Sequence, residues 1–458
     1  MVECVSTFLI HTCQPSHRLN YDAVSALVSS VRQDDVPLTA ITLFDWIPLL
    51  TGSVAELYIQ PMLPCVSDYD AMFYRSDQLA IPEGYLPPTL LPAEFGNVVY
   101  VHEIVESEFP SYVYLMRSYI LVESDSGEYM AVKLLRELYM TYKTVPDIAG
   151  IEAHGPAWTI HRSYDVALSV GQFIRYFYTT DVVPCIRCLS WPSQAADWPR
   201  EQRHCGWPYS ATVDLVKSIG CDLVCVAHPR CREDAWESSI QHRLSFSRAE
   251  IVLINSWMPE QQIVYHMLRI FVKIEQLTNS PTNSEADKSS RVHTTSIVPP
   301  ASLQPTLKQL SNYHIKTLML WACELKTNKW WTVKRNVVEI YVELLQVLSV
   351  WLQEARCKHY FINNCNLLRS PDCATATILM SVEKEWLAEW FVTNYIYKYA
   401  EFCRNDYNVQ FHTLKRYIAT LSPQADFALW RVEHSLSLSF INFSSAEQLI
   451  AKLVSSAC

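Results

Sequence analysis

The spacing of hydrophobic residues divides the chain into a mixed first half and a helical second half. In the first half, short runs rich in β-branched and aromatic residues lie between turn residues, which predicts strands at 98–105, 111–122 and 221–229. Segments 21–33 and 128–143 instead have the apolar spacing of helices. This mixture predicts an α/β or α+β arrangement with a mixed sheet.

The second half has helical spacing almost throughout. Wide apolar faces predict four helices, within 260–277, 307–326, 337–357 and 383–403. The segment between the first two is rich in Ser, Thr, Asn and Pro, which is typical of an exposed loop.

These patterns together predict an α+β protein of two lobes. We expect a sheet-containing N-terminal lobe over 1–255 and a helical C-terminal lobe over 256–458, with a flexible loop at about 279–305. A cleft between two lobes is a usual place for a ligand.

Composition limits the possible partners and compartments. The chain has 458 residues, half of them hydrophobic, and its 47 acidic and 37 basic residues give a net charge of −10. This excess of acid argues against a wholly basic nucleic-acid-binding face. No apolar stretch reaches about 18 residues, so we predict no membrane span. The start lacks a basic signal region and the 15 cysteines are scattered, so we expect a cytoplasmic protein with reduced thiols.

One apolar stretch carries two acids one residue apart. Asp68 and Asp70 lie on a predicted strand, where residues two apart point to the same face. Two adjacent carboxylates stay ionised when a cation lies between them, and a hard divalent cation with oxygen ligands fits. Upstream, Gly52 and Ser53 occupy a predicted tight turn that can approach a phosphate. The alternative is an ordinary loop followed by a solvated strand end.

Asp181 is a candidate third carboxylate for a two-metal site. It precedes the apolar run VVPCIRC, which predicts a strand. A single Asp before a strand is more often a cap or turn residue, so this choice depends on more than its spacing.

Seven further segments, in order along the chain, resemble the Mab-21 domain family, which includes cyclic GMP-AMP synthase and related animal receptors. They are HGPAWTI from His154, DVVPCIRCLSWPSQAADW from Asp181, GWP from Gly206, GCDLVCVAHP from Gly220, HRLSFSRAE from His242, LSNYHIKTLMLWACE from Leu310 and CKHYFINNCNLL from Cys357. The resemblance extends from about Gly52 to Leu368. It implies a nucleotidyltransferase fold related to polymerase β.

The resemblance also implies roles for individual residues. Asp68, Asp70 and Asp181 match the carboxylates that hold two Mg²⁺ or Mn²⁺ ions, and Gly52 and Ser53 match the turn that grips the triphosphate. The residues matching nucleotide contacts are Arg243, Ser245, Ser247, Arg269, Tyr313 and Lys316.

Each of these residues also has a simpler structural interpretation. Tyr313 could be a core aromatic, Arg243 could pair with Glu250, and Ser245 and Ser247 could be ordinary strand residues. Without the resemblance, these readings would rank first.

Zinc is not expected. The family's DNA-sensing members carry a His-Cys-Cys-Cys insertion where this chain has its Ser/Pro-rich loop. A weaker candidate is Cys185-x-x-Cys188 with His204 and Cys205, but Cys185 lies on a predicted buried strand.

The resemblance favours an active cyclic dinucleotide synthase that uses ATP and/or GTP and makes a second messenger in innate immunity. Its activating ligand is not identified by the sequence, and double-stranded RNA is one candidate. The alternative is a catalytically silent Mab-21-type scaffold or developmental regulator that binds nucleotides without turnover. A third reading is a synthase gated by a ligand that is not a nucleic acid.

Overall fold

The structure is a computed structural model that describes most of the first 396 residues. The described ranges are 2–12, 46–51, 69–141, 151–154, 156–169, 172–200, 205–231, 236–275, 277, 310–332 and 337–396. The predicted helix at 21–33 and the predicted loop at about 279–305 lie outside them.

Ten strands form one mixed sheet. They are β1 (Trp46–Thr51), β2 (Tyr69–Pro82), β3 (Val98–Glu106), β4 (Tyr112–Glu123), β5 (Tyr129–Leu138), β6 (Ile151–His154), β7 (Ala157–Ser169), β8 (Gln172–Cys188), β9 (Cys221–Cys225) and β10 (Gln241–Ser245). β2 runs parallel to β3 and β8, and the other described pairings are antiparallel. The predicted mixed sheet is confirmed.

The sheet closes on itself through β2. The pairings lead from β2 through β3, β4, β10, β9 and β8 back to β2. β2 contacts two neighbours along one edge, first β1 and then β3, while β8 follows its other edge. This closure brings β8 beside β2, although they are distant in sequence.

The two faces of the closed sheet pack into different cores. Alternate residues of β2 show this division, since Leu79 and Ile81 belong to a small core formed by the strands, whereas Ala80 faces the helices. Cys185 and Ile186 of β8 divide in the same way. The period of two is the expected consequence of side chains alternating across a strand.

One helix precedes the sheet, and the other described helices follow β8 and dominate the chain after residue 246. The α-helices are α1 (Val2–Thr12), α2 (Ser210–Ser218), α3 (Glu237–Ile240), α4 (Ser247–Asn255), α5 (Pro259–Ile274), α6 (Asn312–Leu325), α7 (Asn328–Thr332), α8 (Val337–Gln353), α9 (Cys373–Met380) and α10 (Lys384–Phe391). α10 continues as a π-helical turn at Val392–Ile396. None of the helices within the described ranges is long and apolar enough to cross a membrane.

Among the described residues, the strand and helix predictions are confirmed except at one segment. β3 and β4 form where strands were predicted, β9 covers the first part of the strand predicted at 221–229, and α5, α6, α8 and α10 coincide with the four predicted helical segments. The prediction of a helix at 128–143 is wrong, because residues 129–138 form β5 and pair with β4.

Pairing with β4 outweighs the helical spacing of this segment. A turn with Gly127 at φ +80° leads the chain directly from β4 back along it. A register shift in the β4–β5 ladder adds extra β5 residues beyond Lys133. There Arg136 pairs with Glu83 at 2.9 Å and with Glu103 at 3.1 Å, tying β5 to β3 and to the end of β2.

A buried ion pair joins α4 to the sheet. Arg248 Nε donates to Asp222 Oδ2 at 2.8 Å, and both side chains are almost fully buried. The Arg248 guanidinium also lies 5.5 Å from the centre of the Tyr74 ring on β2. Since α4 directly follows β10, this pair fixes how the helix leaves the strand.

We expect Arg248→Leu to lower the free energy of unfolding by about 3–5 kcal/mol, because it leaves the Asp222 carboxylate buried and unpaired. Arg75→Leu is the matched control, since Arg75 pairs with Asp77, both side chains are about one-third exposed, and pairs reached by solvent contribute about 1 kcal/mol or less. Urea unfolding measures both. Equal losses in the two variants would contradict this account.

Candidate functional site

Four strands bring polar residues into one transverse row. Thr51 of β1 lies opposite Asp70 of β2, Asp70 lies opposite Asp181 of β8, and Thr159 of β7 lies opposite Asp181. Adjacent strands are about 4.8 Å apart. Two of the three predicted metal-binding residues are therefore in direct register on neighbouring parallel strands.

The other predicted phosphate-binding and metal-binding residues, Gly52, Ser53 and Asp68, are close in sequence to Thr51 and Asp70 of this row. Gly52 directly follows Thr51, the last residue of β1. Gly52, Ser53 and Asp68 lie outside the described residues, and so does the side chain of Asp70.

Asp181 lies inside strand β8. The prediction that it precedes the strand is wrong. β8 begins at Gln172 because β7 pairs with it in antiparallel register from Trp158 to Ser169. Asp181 is half-buried, and the Thr159 hydroxyl donates to its Oδ1 at 2.6 Å. Thr159 lies in the HGPAWTI segment. Its contact with Asp181 follows from the β7–β8 register, which the sequence alone does not predict.

The segment Arg243–Ser247 borders the same sheet face. The Arg243 side chain is exposed, and Ser245 and Ser247 lie 3.1 Å apart, Oγ to Oγ, where β10 ends and α4 begins. The Ser245 hydroxyl also contacts Met72 Sδ at 3.7 Å. Because Met72 is two residues beyond Asp70 on β2, this contact connects the predicted nucleotide-binding segment to the carboxylate strand.

Lys316, not Arg243, is the ion-pair partner of Glu250. Lys316 Nζ of α6 lies 2.6 Å from Glu250 Oε2 of α4, and both side chains are largely buried. The alternative pairing of Arg243 with Glu250 is therefore wrong, because α6 delivers its lysine to this acid. Lys316 also lies 5.9 Å from the centre of the Tyr313 ring.

Tyr313 is half-buried at the edge of this pair. Burial raises the pKa of its phenol well above the ordinary value, and the Glu250 carboxylate adds to the rise, while Lys316 and Arg243 oppose it. The contacts of Lys316 place Glu250, Tyr313 and Lys316 around one point. The phenol oxygen lies 3.1 Å from His359 Nε2, so one edge of the ring is anchored while the side chain stays partly accessible.

An aromatic cluster holds the segment after α8 against this point. The rings of Phe246 and Phe361 stack at 4.5 Å with planes 18° apart, and the His359 ring lies edge-on to Phe246. Phe246 stands between Ser245 and Ser247, so the 357–368 segment packs directly on the predicted nucleotide-binding residues.

Arg269 differs from the other predicted contacts. It lies half-buried on α5, and its guanidinium is 5.7 Å from the centre of the Tyr265 ring on the same helix. Its phosphate-binding role remains a prediction.

Cys185 and Cys188 do not face one another. Cys185 belongs to the core formed by the strands, whereas Cys188 faces the helices. The two thiols therefore cannot chelate one ion as a Cys-x-x-Cys pair on this strand. Among the described residues, no three His, Cys, Asp or Glu side chains form a metal-binding group, but the side chains of Asp68 and Asp70 are not among those described.

Two domains known from other proteins match this chain, in order. Residues 131–256 match the Mab-21 protein nucleotidyltransferase domain, and residues 294–384 match the Mab-21 protein HhH/H2TH-like domain. The chain therefore carries both Mab-21 domains.

Curated Mab-21 proteins align with this chain over part of their length. Protein male abnormal 21 of Caenorhabditis briggsae is 28% identical over 210 residues, covering 46% of this chain and 50% of the relative. Protein mab-21-like of Aedes aegypti is 26% identical over 43% of this chain and 46% of the relative. Protein male abnormal 21 of Caenorhabditis elegans is 27% identical over 42% of this chain and 46% of the relative. The chain thus spans about half the length of the curated relatives it matches.

The buried histidine at this site, His359, makes the stability of the chain depend on pH. Burial, with a smaller effect of Arg243, lowers the pKa of His359 to about 3 from an ordinary value of 6.5. The unfolded chain therefore binds a proton between pH 6.5 and 3 that the folded chain does not, and stability falls as the pH drops through that window.

We expect the wild type to lose about 2 kcal/mol more than His359→Gln when the pH falls from 7.5 to 5.0, since the variant lacks this proton. Urea unfolding at the two pH values measures the difference. His102→Gln should behave in the same way, because burial also lowers the pKa of His102 to about 3. Equal losses in wild type and both variants would disprove the assignment.

Proposed function

We propose that this chain is a metal-dependent nucleotidyltransferase that joins nucleoside triphosphates into a cyclic dinucleotide. The observation that carries the proposal is the register of Asp70 with Asp181 on adjacent parallel strands. Two acids in that position repel unless a cation lies between them. The nucleotidyltransferase domain match over residues 131–256 supports the general class of reaction.

The donor set fits two Mg²⁺ or Mn²⁺ ions. Asp70 and Asp181 would supply carboxylate oxygens from strands about 4.8 Å apart, and Asp68 would supply the third carboxylate. The Thr159 hydroxyl would hold the Asp181 carboxylate in the orientation that leaves its other oxygen for the metal. When bound, such ions lower the pKa of an attacking ribose hydroxyl and stabilise the leaving pyrophosphate.

The chain's own residues would bind and orient the nucleotides. Gly52 and Ser53, next to the carboxylate row, would hold the triphosphate through the backbone and a hydroxyl. Tyr313 would stack on a base, and the exposed Arg243 would contact a base or a phosphate. Ser245 and Ser247 would donate hydroxyl hydrogen bonds, and Arg269 would contact a phosphate. Since Glu250 neutralises Lys316 in the free protein, Lys316 would act mainly by orienting the side chains around it.

We infer the substrates and the product from the resemblance to cyclic GMP-AMP synthase and related receptors. The proposed substrates are ATP and/or GTP, the proposed product is a second messenger in innate immunity, and the protein would act in the cytoplasm. A two-lobed arrangement would put the nucleotides between the strands that carry the carboxylates and the helices that carry Tyr313. Double-stranded RNA is a candidate activating ligand.

A second candidate is a Mab-21 scaffold or developmental regulator that binds nucleotides without turnover. It is favoured by the matched relatives, whose names, male abnormal 21 and mab-21-like, describe no reaction. The two candidates differ in whether the bound nucleotide is converted.

We expect purified protein to convert a mixture of the four NTPs into a cyclic dinucleotide when Mn²⁺ or Mg²⁺ is present. Reactions with and without double-stranded RNA or DNA are resolved by chromatography and mass spectrometry. Asp70→Asn and Asp181→Asn should each lower product formation at least about 100-fold, since a neutral amide binds divalent metals far more weakly than a carboxylate. Asp77→Asn is the matched control, because Asp77 lies on β2 beside Arg75 and outside the row.

Nucleotide binding without product in every condition would favour the scaffold. Equal product from the wild type and the Asp→Asn variants would reject the metal site. A synthase that needs a ligand other than nucleic acid would still form product once that ligand is supplied from a cell extract, and only if Asp70 and Asp181 are intact.

We expect Thr159→Val to raise the Mn²⁺ concentration needed for half-maximal activity by about 10-fold, because partners of metal ligands contribute about 10–100-fold to metal affinity. Thr159→Ser keeps the hydroxyl and should behave like the wild type. Titrating activity against Mn²⁺ gives both values. An unchanged half-maximal concentration in Thr159→Val would show that the hydroxyl does not orient a metal ligand.

A further inference from the structure

His359 is a buried histidine whose two ring nitrogens contact different parts of the chain. Its Nδ1 accepts hydrogen bonds from the backbone N–H groups of Phe361 and Ile362 at 3.1 and 3.2 Å. Its Nε2 lies 3.1 Å from the phenol oxygen of Tyr313 on α6. The side chain is only 4% exposed.

These contacts determine which nitrogen carries the proton. Nδ1 accepts from two N–H donors, so it is unprotonated, and a neutral imidazole then carries its proton on Nε2. Burial lowers the pKa of His359 to about 3, so the ring is neutral near pH 7. Nε2–H therefore donates to the Tyr313 oxygen, and the phenolic proton of Tyr313 remains able to donate elsewhere.

The environment keeps the histidine ring in one orientation. Phe246 contacts it edge-on at 5.7 Å, and Phe361 lies 6.2 Å away, centre to centre. The rings of Phe246 and Phe361 stack on one another, so the two rings that contact His359 also hold each other in place. A donor held in this way can fix the orientation of the group it contacts.

We propose that His359 is a positioning residue that fixes the position of the Tyr313 ring for stacking on a nucleotide base. This inference rests on the proposed function, because it takes Tyr313 as the stacking residue. Without the hydrogen bond from Nε2–H, the half-buried ring would be free to swing about its Cα–Cβ bond, and nucleotide binding would then have to immobilise it. His359 itself need not touch the nucleotide.

Two substitutions separate this role from simple support of the 359–362 turn. In His359→Asn the amide oxygen can replace Nδ1 as acceptor for the turn, but no donor reaches Tyr313. In His359→Gln the longer amide can replace Nε2 as donor to Tyr313, but the acceptor for the turn is lost. The positioning role and a structural role therefore predict opposite rankings of the two variants.

Calorimetric titration with non-hydrolysable ATP and GTP analogues and Mg²⁺ decides between them. We expect His359→Asn to weaken binding about tenfold, the effect of one lost hydrogen bond, and His359→Gln to remain within about threefold of the wild type. Tyr313→Phe should weaken binding as His359→Asn does, and the double variant should lose no more, because both remove one interaction. Thermal unfolding of each variant separates affinity from stability.

The outcomes distinguish this inference from the function on which it rests. If His359→Gln weakens binding about tenfold while His359→Asn binds like the wild type, His359 supports the turn and the positioning role is rejected. Additive losses in the double variant would also reject it. If the wild type binds neither nucleotide, the proposed function fails, and the inference fails with it.

Discussion

The parallel pairing of β2 with β8 is the constraint on which the site depends. It closes the sheet and sets Asp70 opposite Asp181, two residues that lie far apart in the sequence. A shift of one residue in this register would turn one of the two to the opposite face. β1 and β7 flank the pair and add Thr51 and Thr159 to the same row. Closure is thus also what assembles the candidate metal ligands.

A second set of contacts connects this row of residues to the helices. Ser245 contacts Met72 of β2, two residues beyond Asp70, and Phe246 stacks on Phe361 of the segment after α8. That segment carries His359, which reaches Tyr313 on α6. The short sequence Arg243–Ser247 therefore contacts both the strand that carries the acid and the aromatic residues of the helical part.

The sequence predicted those elements whose local pattern agrees with their tertiary environment. β3, β4 and β9 and the longer helices are of this kind. The segment at 128–143 has helical spacing, yet it forms β5 because a tight turn delivers it to the edge of β4. Likewise, β8 begins before Asp181 because β7 pairs along it, and the spacing of a single strand does not reveal its partner.

In the candidate site, too, the sequence indicates individual residues but not their tertiary contacts. The resemblance implies roles for Asp70, Asp181, Arg243 and Tyr313, but it does not show which residues surround them. Glu250 of α4 pairs with Lys316 of α6, the Thr159 hydroxyl contacts Asp181, and His359 contacts Tyr313 from a distant segment. Such contacts depend on the folded chain, so neither periodicity nor motif spacing could predict them.

The proposed metal site requires Asp70 and Asp181 to bind a divalent ion beside the nucleotide. A crystal structure of the protein soaked with Mn²⁺ and a non-hydrolysable ATP analogue, with anomalous scattering recorded at the manganese edge, would locate that ion. We expect a manganese peak within about 2.5 Å of carboxylate oxygens of both residues and of the triphosphate. A bound nucleotide with no manganese at these two carboxylates would rule out the metal site.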